Sequence, residues 1–139
     1  MDINKDIDWK SLIIGAAITA GLIIIASTTK FDWLMLFSSI GLLYVGYNAK
    51  NIKYGAVLGA FAATPIVYLA FIGTFGEFNG FFTTETGTIT LVISILLIGA
   101  LIGVVGAWAK NSREKAKVEY EKKQKIGKNK KKNKKKNNN

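Results

Sequence analysis

The sequence predicts an all-α protein, an integral membrane bundle of four transmembrane helices followed by a disordered polybasic C-terminal tail. Half of the 139 residues are hydrophobic, and they form four long blocks with no polar stripe of the kind that a soluble amphipathic helix keeps towards water. The last segment, 110–139, is almost entirely polar and holds 14 of the 19 Lys and Arg residues. Hydrophobic blocks and basic tail therefore predict a membrane domain over 1–109 and a separate charged segment after it.

The first two spans are predicted at 11–29 and 31–49. The first block contains no charged residue, and its length nearly matches a hydrocarbon core of about 30 Å. The second is weaker, because its uncharged part, 33–47, has a length that is also typical of a buried or interfacial helix. It reaches spanning length only with Asp32 at the membrane surface. A cleaved signal peptide is the alternative for the first block, but the long apolar run and the acidic leader disfavour it.

The third and fourth spans are predicted at 54–75 and 89–109. Both are long enough to cross, and neither contains an acidic or basic residue. Pro65 is the only proline and lies inside the third span. Since proline has no N–H to offer the carbonyl of Phe61, a helix kink is predicted at this point.

The distribution of lysine predicts the orientation in the cell membrane. Four crossings place both termini and the second loop on one side, which then holds Lys5, Lys10, Lys50, Lys53 and the basic tail. The other side holds only Lys30. The positive-inside rule assigns the basic side, with the N-terminus and the C-terminus, to the cytoplasm.

Small residues recur four positions apart in the spans and predict where helices pack. The third and fourth spans each carry Gly-Ala-x-x-Gly with a small residue four positions further on, which places the small residues on one helix face. The predicted helix-packing residues are Gly15, Gly41, Gly46, Gly55, Gly59, Ala63, Gly99, Gly103, Gly106 and Ala107. In the predicted topology nearly all of them lie in the cytoplasmic half of the membrane, so the helices are expected to converge there.

The composition excludes much familiar catalysis. With neither Cys nor His in the chain, thiol nucleophiles, imidazole bases and zinc sites of the usual kind are ruled out. We expect no catalytic residue, no cofactor and no metal site, and the predicted function is that of a non-enzymatic structural or accessory membrane component. It would pack with itself or within a larger membrane complex. A holin-like pore former is the alternative, and a small transporter is third because the spans lack ionisable groups.

The tail is predicted to have two parts. The segment 110–126 mixes opposite charges at helical spacing and is expected to extend the fourth helix, whereas 127–139 contains Gly, Lys and Asn and is expected to be disordered. Basic residues next to a membrane attract anionic headgroups, and the predicted contacts are Lys110, Arg113, Lys115, Lys117, Lys122 and Lys123. Binding of nucleic acid or of a ribosome, and a solvated tail without a partner, are the alternatives.

The stretch 46–60 carries a resemblance to a known family. It reads Gly-Tyr at a helix end, then the short basic turn Asn-Ala-Lys-Asn-Ile-Lys, and then Tyr-Gly-Ala-Val-Leu-Gly-Ala. In this it resembles a functionally uncharacterised family of small archaeal multi-span membrane proteins. The resemblance covers the four spans but not the tail, and implies a four-helix membrane fold without implying an activity.

Overall fold

All regular structure that the computed structural model describes is helical. The structure describes residues 8–31, 33–74 and 84–136, and no strand occurs among them. The helices, in chain order, are α1 (Trp9–Thr29), α2 (Leu34–Phe37), α3 (Ser39–Asn48), α4 (Ile52–Ala62), α5 (Thr64–Phe71) and α6 (Glu85–Lys136). The predicted all-α class is confirmed over these residues.

Three helical segments of the described chain are long and apolar enough to cross a membrane: Trp9–Thr29, Ile52–Phe71 and the apolar part of α6. The second predicted span, 31–49, is represented by the shorter apolar segment Leu34–Asn48. Trp33 lies in a turn before this segment, and Ser38 interrupts its helix. Among the described residues three helices have full spanning length, so a fourth crossing is not confirmed.

Helix α1 has one continuous buried stripe. Its N-terminus is capped by the side chain of Asp8, which accepts a hydrogen bond from the Ser11 N–H. The helix ends at Thr29 and is capped by Lys30, whose φ of 57° lies in the left-handed region typical of helix C-termini. The buried residues recur every three or four positions and are Ser11, Gly15, Thr19, Ile23 and Ala26. That spacing keeps one face of α1 against the other helices of the membrane unit.

The segment between α2 and α3 is wound more tightly than an α-helix. The Ser38 N–H donates to the Met35 carbonyl over 3.1 Å, and the Gly41 N–H donates to the Ser38 carbonyl over 3.2 Å. Both bonds span three residues, and Ser38 has a φ of −60° and a ψ of −26°, which are typical of a 3₁₀ turn. The hydroxyl of Ser38 donates to the same Met35 carbonyl over 2.6 Å.

A second interruption separates α4 from α5 and lies where the kink was predicted. The Ala63 N–H donates to the carbonyls of Gly59 and Ala60, both over 3.1 Å, so the last turn of α4 tightens. Pro65 then occupies the first turn of α5, where a missing N–H costs least. The break therefore falls just before the proline, one turn after the Gly59 contact described below.

Helix α6 begins earlier and ends later in the chain than the sequence predicts. It starts at Glu85, after Thr84, whose hydroxyl accepts a hydrogen bond from the Gly87 N–H over 3.1 Å. It continues to Lys136, so the structure differs from the predicted disorder after residue 126. Lysine is a good helix former, and extending an existing helix costs far less than nucleating one, which explains the difference. Residues 137–139 of the predicted tail lie outside the described residues.

Close contacts divide the chain into two units, 1–109 and 110–139. In the first unit, α1 contacts α2, α3, α4 and α5, and α3 also contacts α4. A buried cluster fills the first unit and consists of Leu42, Val45, Ala49, Leu58, Ala62 and Ala63. Its members are medium or small side chains, which allows the helix axes to approach closely. The second unit is a single helix over its described residues.

Candidate functional site

Helices α4 and α6 meet through glycines on both sides. A Cβ atom added to Gly59 would overlap the carbonyl oxygen of Gly99 and lie 2.9 Å from the Cα of Gly103. One added to Gly103 would in turn overlap the carbonyl oxygen of Gly55 and lie 2.9 Å from the Cα of Gly59. Because backbone faces backbone, neither helix can give way by rotating a side chain. The two Gly-Ala-x-x-Gly segments are therefore packed against each other within one chain.

Helix α3 approaches the same region of α6. A Cβ atom on Gly46 would overlap the Gly103 carbonyl oxygen and lie 2.7 Å from the Gly103 Cα. One on Gly106 would lie 2.5 Å from the carbonyl oxygen of Leu43 and 2.8 Å from the amide nitrogen of Tyr47. Gly103 is thus the point at which α3, α4 and α6 come together.

A separate glycine contact joins α1 to α3. A Cβ atom on Gly15 would overlap a methyl group of Val45 and lie 2.6 Å from the Gly41 carbonyl oxygen. One on Gly41 would overlap both the Gly15 carbonyl oxygen and the Thr19 hydroxyl. The two chain segments run antiparallel here, with Gly15 opposite Gly41 and Val45.

The two predicted packing alanines belong to the α4–α6 contact. The Cβ of Ala63 would lie 2.6 Å from a Cβ added at Gly99, and the Cβ of Ala107 would lie 2.8 Å from one added at Gly55. Both alanines are buried. The structure therefore brings every predicted packing residue to a contact between helices of the first unit. By contrast, a Cβ added at Gly21 meets nothing within 4 Å among the described residues.

The contacts made by Gly46, Gly55, Gly103 and Gly106 lie at one end of the first unit, which we call the glycine end. It is the end at which α3 finishes and α4 begins, joined by the turn through Lys50. At the opposite end α2 has no buried residue, and Leu36 is 77% exposed. The helices of the first unit are thus held most closely at one end.

One buried polar contact was not predicted from the sequence. The hydroxyl of Thr19, a fully buried residue, donates to the main-chain carbonyl of Ser38 over 3.1 Å. It therefore crosses from α1 to the break between α2 and α3 and satisfies a carbonyl there. Thr28 and Thr29, by contrast, donate to carbonyls of their own helix. A threonine in an apolar span gives no sign in the sequence of which of these bonds it makes.

The charged groups of the first unit that the structure describes lie at its ends. Asp8 accepts hydrogen bonds from the Ser11 hydroxyl over 2.6 Å and from the Ser11 N–H over 3.3 Å. These two bonds lower the pKa of the Asp8 carboxyl below its usual value, and the bond from the Ser11 hydroxyl has the larger effect. Among the described residues, no buried side-chain nitrogen or oxygen lacks a hydrogen-bond partner, and no group of three or more acidic, His or Cys residues is placed to hold a metal ion.

The basic residues predicted to contact lipid lie on the helix of the second unit. Lys110 is partly buried, whereas Arg113, Lys115, Lys117, Lys122 and Lys123 are exposed. Lys123 forms an ion pair of 2.8 Å with Glu119, one turn earlier in the helix. Because both side chains are largely exposed, this pair adds little to stability. Val118 and Tyr120 are exposed on the same helix.

Comparisons with models of known protein families, with curated proteins and with solved structures find no match to this chain.

Proposed function

We propose that this chain is a non-enzymatic accessory component of the cell membrane, a multi-pass protein whose helices are held together by glycine contacts at its cytoplasmic end. It crosses the membrane four times, with Leu34–Asn48 as the second crossing and both termini in the cytoplasm. Its role is to present a stable helical surface to other membrane proteins or to a second copy of itself.

The meeting of three backbones at Gly103 carries this proposal. Gly46, Gly55 and Gly59 all lie against it, so the small-residue faces are used inside the chain. Between membrane helices, close backbone approach replaces the hydrophobic driving force that lipid cannot provide. A chain that uses its glycines in this way gains a defined shape, and its partners must contact the outer surface.

The outer surface of the first unit favours an accessory role over a pore. Its exposed side chains include Ile13, Ile24, Phe61, Leu97 and Leu101, which suit lipid or an apolar protein surface. The buried polar residues among those described are Ser11 and Thr19, and both are hydrogen-bonded. A pore lining would require a continuous polar face, and these residues do not supply one.

Charge supports the orientation. The glycine end carries Lys10, Lys50 and Lys53, while Lys30 lies at the other end of α1. The positive-inside rule then favours a cytoplasmic glycine end. The exposed basic residues of the second unit follow directly after the last apolar segment, and they would contact anionic headgroups with a strength that falls as salt rises.

Purification from native membranes tests the proposed role. The full chain, expressed at native level and extracted in a mild detergent, should co-purify with a defined membrane protein or as a defined oligomer. Cells that express the chain should exclude a membrane-impermeant dye. The variant Gly103→Leu, which breaks the contact between α3, α4 and α6, should lose the complex, whereas Gly21→Leu should keep it.

Two results would contradict the proposal. An abrupt entry of the dye on expression would assign the chain to the pore formers. Purification of a homogeneous monomer without any partner in several mild detergents would contradict the accessory role.

A further inference from the structure

The second crossing is much shorter than its neighbour. Helix α1 has 21 residues, which corresponds to about 31 Å. Leu34–Asn48 has 15 residues, which corresponds to about 22 Å at the same rise, well below a hydrocarbon core of about 30 Å.

The contacts between the two segments show at which end the length is missing. Thr19 bonds to Ser38, and Gly15 lies against Gly41. Counting along the antiparallel pair from these contacts, Asn48 lies near the level of Trp9, so the two segments end together at the glycine end. Leu34 lies near the level of Ile23. Helix α1 therefore continues past the start of α2 for about six residues, or about 9 Å.

Tight winding recovers only part of this length. Three-residue hydrogen bonds run from Leu34 to Phe31, from Leu36 to Trp33, from Ser38 to Met35 and from Gly41 to Ser38. A 3₁₀ turn rises about 2.0 Å per residue rather than about 1.5 Å, so this winding adds about 3 Å over the segment. A deficit of about 6 Å is left on this side of the bundle.

The far end of the short segment carries an aromatic anchor. Trp33 packs edge-to-face against Phe31 and Phe37, with ring centres 6.3 Å and 5.6 Å apart, and its side chain is 57% exposed. Tryptophan prefers the depth of the lipid headgroups. Along the segment that follows, Leu36 and Ile40 are exposed and apolar. The helical part of this apolar surface therefore begins after Trp33, and the exposed rings of Phe31 and Trp33 lie at the connection to α1.

We infer that this face of the protein binds a locally thinned bilayer, and that lipids with short hydrocarbon chains are its preferred partners there. The inference rests on the proposed membrane topology. A span shorter than the bilayer cannot gain height by tilting, and the membrane adapts by thinning beside it. Because Gly15 and Gly41 hold the segment against α1, it cannot slide outwards to share the deficit between its two ends.

Tryptophan fluorescence in mixed vesicles tests this inference. The chain has three Trp residues, so Trp9→Phe with Trp108→Phe leaves Trp33 as the single reporter in the full chain. The vesicles contain equal amounts of a short-chain and a long-chain lipid, with hydrocarbon thicknesses of about 22 and about 34 Å, and one of the two carries bromine at a carbon close to the headgroup. Brominated short-chain lipid should quench Trp33 more strongly than brominated long-chain lipid, which would report that short-chain lipid is enriched beside this residue.

An insertion provides the matched control. Four apolar residues placed between Leu36 and Phe37 add about 6 Å, and they leave the glycine contacts intact because α2 contains no buried residue. In this variant the two brominated lipids should quench Trp33 nearly equally. Equal quenching by the two lipids in the uninserted chain, or an unchanged preference after the insertion, would overturn the inference.

Failure of the underlying topology gives a different result. If iodide reaches Trp33 from the same side from which a reagent reaches a cysteine introduced at Ile52, the segment does not cross, and the four-crossing proposal fails together with this inference. If the two sites lie on opposite sides and Trp33 shows no preference between the two lipids, only the inference fails.

Discussion

The two ends of the first unit are held together by different means. At the glycine end, main chains of α3, α4 and α6 approach one another directly through Gly46, Gly55 and Gly103. At the opposite end, α2 buries none of its residues, and exposed bulky side chains such as Leu36 and Phe71 replace the glycines. One end is therefore defined by steric fit between helices, whereas the other leaves bulky apolar side chains exposed.

The difference shows what a small membrane protein can use in place of a hydrophobic core. Burying Leu or Phe against another helix gains little when lipid offers an equally apolar environment. Glycine allows axes to come close enough for dense dispersion contacts and for weak Cα–H···O bonds. Stability is therefore expected to depend more on Gly103 than on any leucine at the opposite end.

Filling the glycine end should have the largest effect. Gly103→Ala places a methyl group against the Gly55 carbonyl oxygen, and overpacking of this kind should lower the free energy of unfolding by about 2 kcal/mol or more. Gly21→Ala is the matched control, since no described atom lies within 4 Å of the added group. It should leave stability unchanged or raise it by up to about 1 kcal/mol. Thermal unfolding in detergent measures both, and equal effects would contradict the comparison.

Removing the hydrogen bond between α1 and the break at Ser38 should have a smaller effect. Thr19→Val keeps the shape of the side chain but removes its hydrogen bond to the Ser38 carbonyl, which still accepts from the Gly41 N–H, and this loss should cost about 1 kcal/mol. Thr28→Val provides the control, because the Thr28 hydroxyl bonds only to carbonyls of its own helix. Thermal unfolding in detergent measures both variants. A loss of stability in Thr28→Val as large as that in Thr19→Val would show that the hydrogen bond between the two segments adds no more stability than a bond within one helix.

The smallest expected effect is the titration of Asp8. Its pKa is lowered in the folded chain, so the carboxylate contributes stability above its unfolded pKa of about 3.9 and loses that contribution as the pH falls through the lower folded pKa. Asp8→Asn cannot titrate but can still cap α1. The stability difference between the two proteins should therefore diminish between about pH 5 and pH 3, as measured by thermal unfolding. A constant difference over this range would contradict the role of the ionised carboxylate.

Features with a strong local signal could be predicted from the sequence. The length of α1 follows from an uncharged block, and the break before Pro65 follows from the missing proline N–H. The spacing of Gly55, Gly59 and Ala63 indicates which face of α4 carries small residues and allows another helix to approach closely. That Gly-Ala-x-x-Gly occurs twice did not determine which helix meets which, because a glycine face fits any other close-packing backbone.

Other features depend on tertiary contacts or on competing local effects. No proline or glycine marks the break at Ser38, and the tight turns there accompany a bond from Thr19, a residue 19 positions earlier. The helix after residue 126 differs from the sequence prediction for another reason. A composition rich in Lys and Asn predicts disorder, but a helix that has already formed can propagate through lysine.

Cysteine accessibility tests the central claim, that Leu34–Asn48 crosses the membrane and makes the bundle four-spanning, most directly. The chain has no Cys, so Thr29→Cys and Ile52→Cys each provide a single site at one end of the segment without altering a lysine. With a membrane-impermeant maleimide on intact cells, Thr29→Cys should be labelled at once and Ile52→Cys only after permeabilisation. Labelling of both sites from the same side would show that the segment does not cross, and would contradict the proposed topology.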